Sequence, residues 1–273
     1  MNSQFRINEP TEANVKSFHE DGYIFFPDIL KDGSRETLIN EIENSSEVQA
    51  YVKSANYTNT TEPQPYFVRP WNERGIVGHA LIDDPFITKL LQKTIDENYH
   101  FCHSALNIAP RGIGPGKYHQ DNHHWNHEYP INHNEREKYY IQILYYPNGF
   151  KIGDRNLKVI PGSHVVEPTD EKIVEKMLAG TYDKIAGREL KEVRLSAPPG
   201  SMVCLNARLF HAIESKPLDS PQARRIFNID IFKEAGPPHR YTQKIPSAWL
   251  ENATPYRMQL FSRLPYTDDC WKP

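Results

Sequence analysis

The chain has 273 residues, 38% hydrophobic, 11% aromatic and 25% charged, which is enough to bury one large core or two modest ones. Its 32 basic and 35 acidic residues leave a net charge of -3 without a basic block, which argues against nucleic acid as a partner. No apolar run approaches the roughly 18 residues that span a bilayer, and the N-terminus lacks the apolar segment of a secretory signal, so we expect a cytoplasmic protein with no membrane partner.

Most of the helical signal lies in residues 1–100, which we predict to be a mainly helical flank. Thr11 is suited to cap a short amphipathic helix that ends before Gly22, and a strand is predicted over "YIFFPDIL". A second helix fits "DGSRETLINEIENS". A third fits "DPFITKLLQKTIDENY", whose apolar residues recur at helical spacing. Between these two helices, residues 50–82 look irregular and polar.

From about residue 101 the pattern changes to short runs rich in β-branched and aromatic residues, bounded by Gly, Pro, Asn and Asp. Eight such runs, with one helical insertion at "DEKIVEKMLAG", predict a mostly β fold with flanking helices around a double-stranded β-helix (jelly roll, cupin-like) core over residues 101–233. We expect residues 1–273 to form a single domain, with 234–273 as a C-terminal extension. Cys102, Cys204 and Cys270 are too scattered for a disulfide framework or a zinc site, and the first two are predicted to be buried free thiols.

The triplet His119-Gln120-Asp121, in "GKYHQDNHHW", and His211, in "ARLFHAIESK", are candidate metal ligands. On a strand, residues i and i+2 share a face, so His119 and Asp121 can hold one ion while Gln120 faces away. Two imidazoles and a carboxylate are the ligand set of non-haem iron(II) oxygenases and leave positions open for co-substrate and dioxygen. An isolated H-x-D triplet is common by chance, however, and His-rich stretches often lie on solvated loops, so the triplet needs support from its surroundings.

That support comes from several spaced motifs: "FHEDGYIFFPDIL", "YHQDNHHW", "NLKVIPGSH" and "PPGSMVCLNARLFHAIES" leading into "ARRIFNID". With these motifs in this order over residues 17–232, the chain resembles the phytanoyl-CoA dioxygenase family of iron(II)/2-oxoglutarate-dependent oxygenases. The resemblance implies Fe(II), 2-oxoglutarate and O2 as cofactor and co-substrates. It also implies that His119, Asp121 and His211 are the iron ligands and the catalytic centre.

In this family an arginine about a dozen residues after the distal histidine anchors 2-oxoglutarate, and here Arg224 and Arg225 occupy that region. A planar guanidinium engages the distal carboxylate bidentately, as a lysine cannot. We prefer Arg224, because "RRIF" aligns best with the family's arginine at its first position. Strand alternation allows only one of the two to face the pocket.

Three further residues are predicted to belong to the cofactor site. Asn107 and Gln142 are polar residues in runs otherwise suited to burial, where amides must be hydrogen-bonded; they either serve the co-substrate and iron ligands or form cross-strand hydrogen bonds. Trp125 matches an aromatic position near the co-substrate in some relatives, or else packs on the rim of the sheet. His164, in "PGSH", is interpreted as a turn residue rather than a ligand.

The resemblance implies hydroxylation of a small molecule with release of succinate and CO2. Asp121 stands where related halogenases have Gly or Ala, which favours hydroxylation over halogenation, while desaturation, cyclisation and epoxidation stay open. Arg69 and the polar stretch after Asp121 favour a small polar or anionic metabolite, such as an amino acid or a natural-product intermediate. Two other hypotheses are a cupin-type metalloenzyme without 2-oxoglutarate and a non-catalytic jelly-roll binding protein. The oligomeric state is not readable from the sequence.

Overall fold

Two antiparallel sheets form the β core in the computed structural model, which describes residues 3–59, 61–71, 75–121, 140–167, 171–234 and 244–264. The strands of these residues are β1 (Tyr23–Phe26), β2 (Tyr66–Val68), β3 (His100–Pro110), β4 (Tyr140–Tyr146), β5 (Leu157–Val159), β6 (Val193–Arg194), β7 (Ser201–Asn206), β8 (His211–Ile213) and β9 (Arg224–Lys233). The larger sheet has the order β1-β7-β4-β9-β3-β2 and the smaller one β6-β5-β8. Apolar side chains of both sheets pack together in one cluster, as the predicted jelly roll requires.

The long strand β9 lies in the middle of the larger sheet, between β3 and β4. Because successive side chains of a strand point to opposite faces, β9 divides its residues between two environments. Its odd-numbered residues from Phe227 to Ile231 line a cavity between the sheets. Its even-numbered residues Ile226 and Phe232 pack into the cluster that the helices form.

Helices of the N-terminal flank and of the C-terminal segment pack in one cluster against the larger sheet, whereas the two short helices after the Ser163–Val165 turn pack in a separate cluster. The helix bounds are α1 (Glu12–Asp21), α2 (Asp32–Glu43), α3 (Ser46–Val52), α4 (Ala55–Thr58), α5 (Ile76–Leu81), α6 (Pro85–Thr94), α7 (Ile173–Leu178), α8 (Asp183–Ala186) and α9 (Pro255–Phe261), with 3₁₀ turns at Ser163–Val165 and Ser247–Leu250. As predicted, the Thr11 side chain accepts a hydrogen bond from the amide of Asn14 to begin α1, and Gly22 ends it in the left-handed region at φ 82°. Helix α6 buries Phe86, Leu90 and other apolar residues in the largest hydrophobic cluster.

The prediction for residues 50–82 is wrong. Helices α3, α4 and α5 and strand β2 all involve this segment. Each is short: a helix of six residues or a strand of three shows too few repeats of its pattern to be recognised, and α3 owes its start to the hydrogen bond from Val48 N–H to Ser45. Strand β2 pairs with β3 and so adds an edge strand to the larger sheet from within the mainly helical flank.

Cys102 and Cys204 are free and buried, as predicted, whereas Cys270 lies outside the described residues. In the part of the chain that the structure describes, no helix has both the length and the apolar character needed to cross a bilayer. The assignment of residues 1–273 to a single domain stays a prediction.

Candidate metal centre

His119, Asp121 and His211 come together at one end of the cavity. One ligand atom from each lies within 4.8 Å of the other two, and they are the one group of three or more such side chains within ligand distance in the described residues. The Asp121 carboxylate lies 3.4 Å from Nε2 of His119 and 3.2 Å from Nε2 of His211. Distances of this size between neighbouring donor atoms suit a single ion that all three ligands share.

Hydrogen bonds orient both imidazoles. Nδ1 of His119 lies 2.9 Å from the carbonyl oxygen of Lys117, and Nδ1 of His211 lies 2.9 Å from that of Leu209. A carbonyl oxygen can only accept, so each Nδ1 carries a proton. Each Nε2 faces Asp121, donating to it while the ring is protonated and offering its lone pair to an ion once that proton is lost. This arrangement, with the outer nitrogen donating to a fixed acceptor, is the usual support of a metal-bound histidine.

Backbone pairing explains how residues distant in sequence meet. The amide and carbonyl of His119 pair with those of His211 at 3.1 Å in both directions, and the amide of Asp121 donates to the Ala207 carbonyl at 2.8 Å. The strand on which we expected His119 and Asp121 to lie is reduced to this single bridge at His119. The predicted alternation nevertheless holds, because the Gln120 side chain turns away from Asp121 and donates to the carbonyls of Val166 and Arg208.

The charges of the three ligands are coupled. Burial raises the pKa of Asp121, but the charge of His211 and hydrogen bonds from both imidazoles outweigh it, so the net pKa of the carboxyl is lowered. Burial lowers the pKa of His119, but the hydrogen bond and the charge of Asp121 raise it by more, so the net pKa of His119 is raised. A carboxylate held ionised beside two imidazoles is a site ready for a cation.

The cavity that contains these ligands has a volume of about 340 Å³. Its wall is mostly apolar, from Ala105, Leu144, Leu157, Ile213 and the inward-facing residues of β9. Polar groups enter it from Arg69, His103 and Gln142. Its size and its few polar groups are those of a pocket for a small ligand.

Arg225 is a fully buried cation on the inward face of β9. Its guanidinium carbon lies 4.8 Å from the ring centre of Phe227 and 5.3 Å from that of Tyr146, and both rings also line the cavity. Nη1 donates to the carbonyl of Arg155, but Nε and Nη2 are buried without a hydrogen-bond partner among the described residues. Burial lowers the pKa of Arg225 to about 10, which keeps it charged at neutral pH.

Arg224 occupies the opposite face of the same strand. Its guanidinium forms an ion pair with Glu43 of helix α2 and is half-buried outside the cavity. This position does not support the preference for Arg224 that the alignment of "RRIF" suggested. Strand alternation leaves Arg225 as the arginine on the cavity side.

The remaining predicted residues differ in how well the structure locates them. Gln142 lines the cavity, and Asn107 pairs with Phe227 across the β3–β9 ladder, with its amide oxygen buried and unpartnered among the described residues. Trp125 lies outside the described residues. His164 is buried in a 3₁₀ turn, where Nε2 lies 3.2 Å from the His19 carbonyl, apart from the three candidate ligands.

Sequence reasoning missed two residues near this site. His103 is buried on β3, lines the cavity, and has its pKa lowered to about 4 by burial and by the charge of Arg69. Its inward orientation follows a register shift between Phe101 and His103, which simple alternation does not reveal. Arg155 is buried beside Arg225. Its own φ is 58°, and it lies in a loop whose sequence carries no recognisable signal.

The sequence profile of the phytanoyl-CoA dioxygenase (PhyH) family matches residues 18–226, which is more than three quarters of the chain. The chain belongs to the PhyH family. The match includes all three candidate metal ligands and both arginines at the start of β9. No curated protein gives a significant match to the sequence.

Solved structures similar to this PhyH member share its fold at low identity. EctD from S. alaskensis, in a structure with 2-oxoglutarate and 5-hydroxyectoine, is 17% identical, with a TM-score of 0.63 over 82% of this chain and 76% of that one. The non-haem α-ketoglutarate-dependent epimerase SnoN from nogalamycin biosynthesis is 14% identical, with a TM-score of 0.61 over 82% of each chain. The α-ketoglutarate-dependent carbocyclase SnoK from the same biosynthesis is 15% identical, with a TM-score of 0.61 over 83% of this chain and 85% of that one.

Proposed function

We propose that the protein is an iron(II)- and 2-oxoglutarate-dependent oxygenase acting on a small polar or anionic metabolite. The observation that carries the proposal is the pairing of two features, one lining the cavity and one packed against its wall. A two-histidine, one-carboxylate cluster stands at one end, and a buried guanidinium with two unpartnered N–H donors stands behind the wall of Phe227 and Tyr146. A buried donor without an acceptor is costly, so the arginine calls for an anion that the protein itself does not supply.

His119, Asp121 and His211 would hold the iron, and Arg225 rather than Arg224 would anchor the distal carboxylate of 2-oxoglutarate. Arg225 is fully buried on the cavity side and already held in place by Arg155 and three aromatic rings, so it can present Nε and Nη2 to a carboxylate as a fork. Arg224 already has a carboxylate partner in Glu43. We retain Asn107 and Gln142 as residues that position the bound acid or the substrate.

When bound, iron with 2-oxoglutarate and dioxygen supplies the oxidant, and the co-substrate leaves as succinate and CO2. The protein's part is positioning and exclusion of water. The apolar wall of Leu144, Ile229 and Ile231 keeps bulk water from the reacting centre. Asp121 contributes the carboxylate of the ligand set. We propose hydroxylation as the reaction, with desaturation, cyclisation or epoxidation as the alternatives that the same oxidant can drive.

The substrate class is inferred from the polar groups of the cavity. His103 and Gln142 flank Ile231 from neighbouring strands, so two hydrogen-bonding side chains stand on either side of an apolar patch. Arg69 lies at the exposed edge with its guanidinium 4.5 Å from the ring centre of Phe67. A compact substrate with hydrogen-bonding groups and a negative charge fits this distribution better than a long acyl chain.

The proposal is tested by incubating the iron-loaded protein with 2-oxoglutarate and a panel of small amino acids and carboxylic acids. Succinate release that a panel member stimulates, with a product one oxygen atom heavier, supports hydroxylation of that compound. A product two hydrogen atoms lighter would instead indicate desaturation or ring closure. Iron binding without any dependence on 2-oxoglutarate would favour the cupin-type enzyme, and no iron binding would leave a non-catalytic binding protein.

A further inference from the structure

Behind Arg225 lies a buried polar cluster that the proposed chemistry does not use. The ammonium of Lys216, whose side chain is 0% exposed, donates to the Asp154 carboxylate at 2.7 Å and to the Ser220 hydroxyl at 2.8 Å. The Ser220 hydroxyl in turn lies 2.8 Å and 2.9 Å from the two Asp154 oxygens. Three side chains thus close a small network of hydrogen bonds with the ion pair at its centre, which we call the Asp154 cluster.

The Asp154 cluster joins the two loops that fix Arg225. Asp154 precedes Arg155, whose carbonyl accepts the hydrogen bond from Nη1 of Arg225. Lys216 and Ser220 belong to the segment that leads from β8 directly into β9 and Arg225. The amide of Arg155 also donates to the Ser215 carbonyl at 2.9 Å, so backbone and side chains tie the same two loops together.

The charges of this region do not balance. Lys216, Arg155 and Arg225 are three buried cations, and Asp154 is the one buried carboxylate that the structure shows among them. Burial lowers the pKa of all three cations, the charge of Arg225 further lowers that of Arg155 and of Lys216, and the charge of Asp154 raises that of Arg225 and of Lys216. A fixed excess of positive charge away from water is favourable only when an anion is bound.

We infer that the Asp154 cluster is a positioning device for Arg225 and sets how strongly the protein prefers a 2-oxo acid with a distal carboxylate. This inference rests on the proposed function, because it assigns Arg225 to that carboxylate. We assign Asp154, Lys216 and Ser220 no contact with the co-substrate. They hold the Arg155 carbonyl and the start of β9 in register, so that the two unpartnered donors of Arg225 keep one direction.

The test compares two ligands on the iron(II)-loaded full chain without oxygen: 2-oxoglutarate, and 2-oxovalerate, which has the same head group and chain length but no distal carboxylate. We expect wild-type protein to prefer 2-oxoglutarate by at least about 30-fold, as a charge-assisted bidentate contact implies. Lys216→Met and Asp154→Asn should each reduce this preference about 10-fold or more, with 2-oxovalerate binding unchanged. Ser220→Ala should reduce it less.

Asp154→Asn separates positioning from charge. If the cluster acted through charge alone, removing a negative group would strengthen binding of the dianion, whereas loss of positioning weakens it. A single variant leaves one buried charge unpaired and is at risk of unfolding. The double variant Asp154→Leu/Lys216→Met removes both charges and leaves the net charge unchanged, and it should also lose the preference while retaining the fold.

Lys158→Met is the matched control. Lys158 is half-buried in an ion pair with Glu192 at 3.3 Å on the smaller sheet, and it lies outside the Asp154 cluster. Its loss should leave the preference for 2-oxoglutarate unchanged. A full wild-type preference in a folded Asp154 or Lys216 variant, or an equal loss of binding for both acids, would overturn the inference. A wild-type protein that does not distinguish the two acids would instead overturn the proposed function.

Discussion

Both faces of strand β9 bury a residue that can carry a charge, but the two buried residues differ in whether they stay charged. Each buries a charged residue type: Arg225 faces the cavity, and Asp230 faces the helical layer beside Tyr145. Arg225 keeps its charge and leaves two donors unpartnered among the described residues. Burial raises the pKa of Asp230 to about 8 despite a hydrogen bond from Asn228, so the carboxyl is mostly protonated at neutral pH.

The difference shows which buried polar groups indicate a ligand. A carboxyl can discharge by taking up a proton and become a neutral group within the core. An arginine cannot do so near neutral pH, so a buried guanidinium with free donors remains unsatisfied until an anion arrives. Of the two faces, the one that carries Arg225 therefore has the buried guanidinium without a carboxylate partner among the described residues, and with it the need for an anion.

The largest effect is expected where the cavity face meets the metal ligands. Asp121→Ala removes the one carboxylate of the cluster and should lower both iron affinity and succinate formation by more than about 100-fold, the upper range for loss of a group that only orients a ligand. Iron content after gel filtration and a succinate assay measure the two. Wild-type iron content in the folded variant would disprove the assignment of this site.

A pair of neighbouring substitutions compares the inner and outer faces directly. Arg225→Gln should weaken 2-oxoglutarate binding by about 2 to 5 kcal/mol, because a charge-assisted bidentate contact is lost. Arg224→Gln loses a partly exposed ion pair with Glu43 and should cost about 1 kcal/mol of stability or less, with little change in co-substrate affinity. Calorimetric titration with 2-oxoglutarate compares the affinities of the two variants. A larger loss of affinity in Arg224→Gln than in Arg225→Gln would restore Arg224 as the anchor.

On the helical face, the prediction concerns stability against pH. The folded-state pKa of Asp230, about 8, lies above its ordinary value of 3.8, so between these pH values the folded protein holds a proton that the unfolded chain releases. Stability should therefore fall as pH rises through this window, and Asp230→Asn should remove that part of the slope. At the upper end the variant should be more stable by on the order of a few kcal/mol.

Urea unfolding of wild type and Asp230→Asn at several pH values tests this. Parallel curves for the two proteins would show that Asp230 does not titrate between pH 3.8 and 8. Affinity for 2-oxoglutarate should be the same in both, since Asp230 faces away from the cavity.

The smallest predicted effect is that of Asn107, on the cavity face of β3. Its amide oxygen is buried without a partner among the described residues, so Asn107→Leu removes an unsatisfied group and should leave the melting temperature unchanged or raised. The same change should weaken 2-oxoglutarate or substrate binding about 2- to 10-fold, which corresponds to one hydrogen bond. Destabilisation with unchanged KM values would instead indicate a cross-strand structural bond.

Local sequence patterns made part of the fold and of the candidate metal centre predictable. Strand alternation put His119 and Asp121 on one side of Gln120, and the caps of α1 were readable from Thr11 and Gly22. Which of Arg224 and Arg225 faces the cavity could not be predicted, because it depends on the register of β9 against β3 and β4, which the sequence of β9 alone does not contain.

Features that depend on tertiary contacts could not be predicted from the sequence. His103 enters the cavity after a register shift in β3, and Arg155 and Asp154 reach Arg225 through a loop with no recognisable pattern. The short elements between residues 50 and 82 are stabilised by packing, as where Val48 and Tyr51 enter the main cluster, and their own sequence is too short to show it.

The most direct test of the account is anaerobic titration of the apo-protein with iron(II) and 2-oxoglutarate, followed by visible absorption. We predict a charge-transfer band that requires both components, is absent from His119→Ala, and needs much more 2-oxoglutarate in Arg225→Gln than in Arg224→Gln. Iron bound at His119, Asp121 and His211 with no change in the spectrum on adding 2-oxoglutarate would contradict the claim that this cavity binds the co-substrate at the metal.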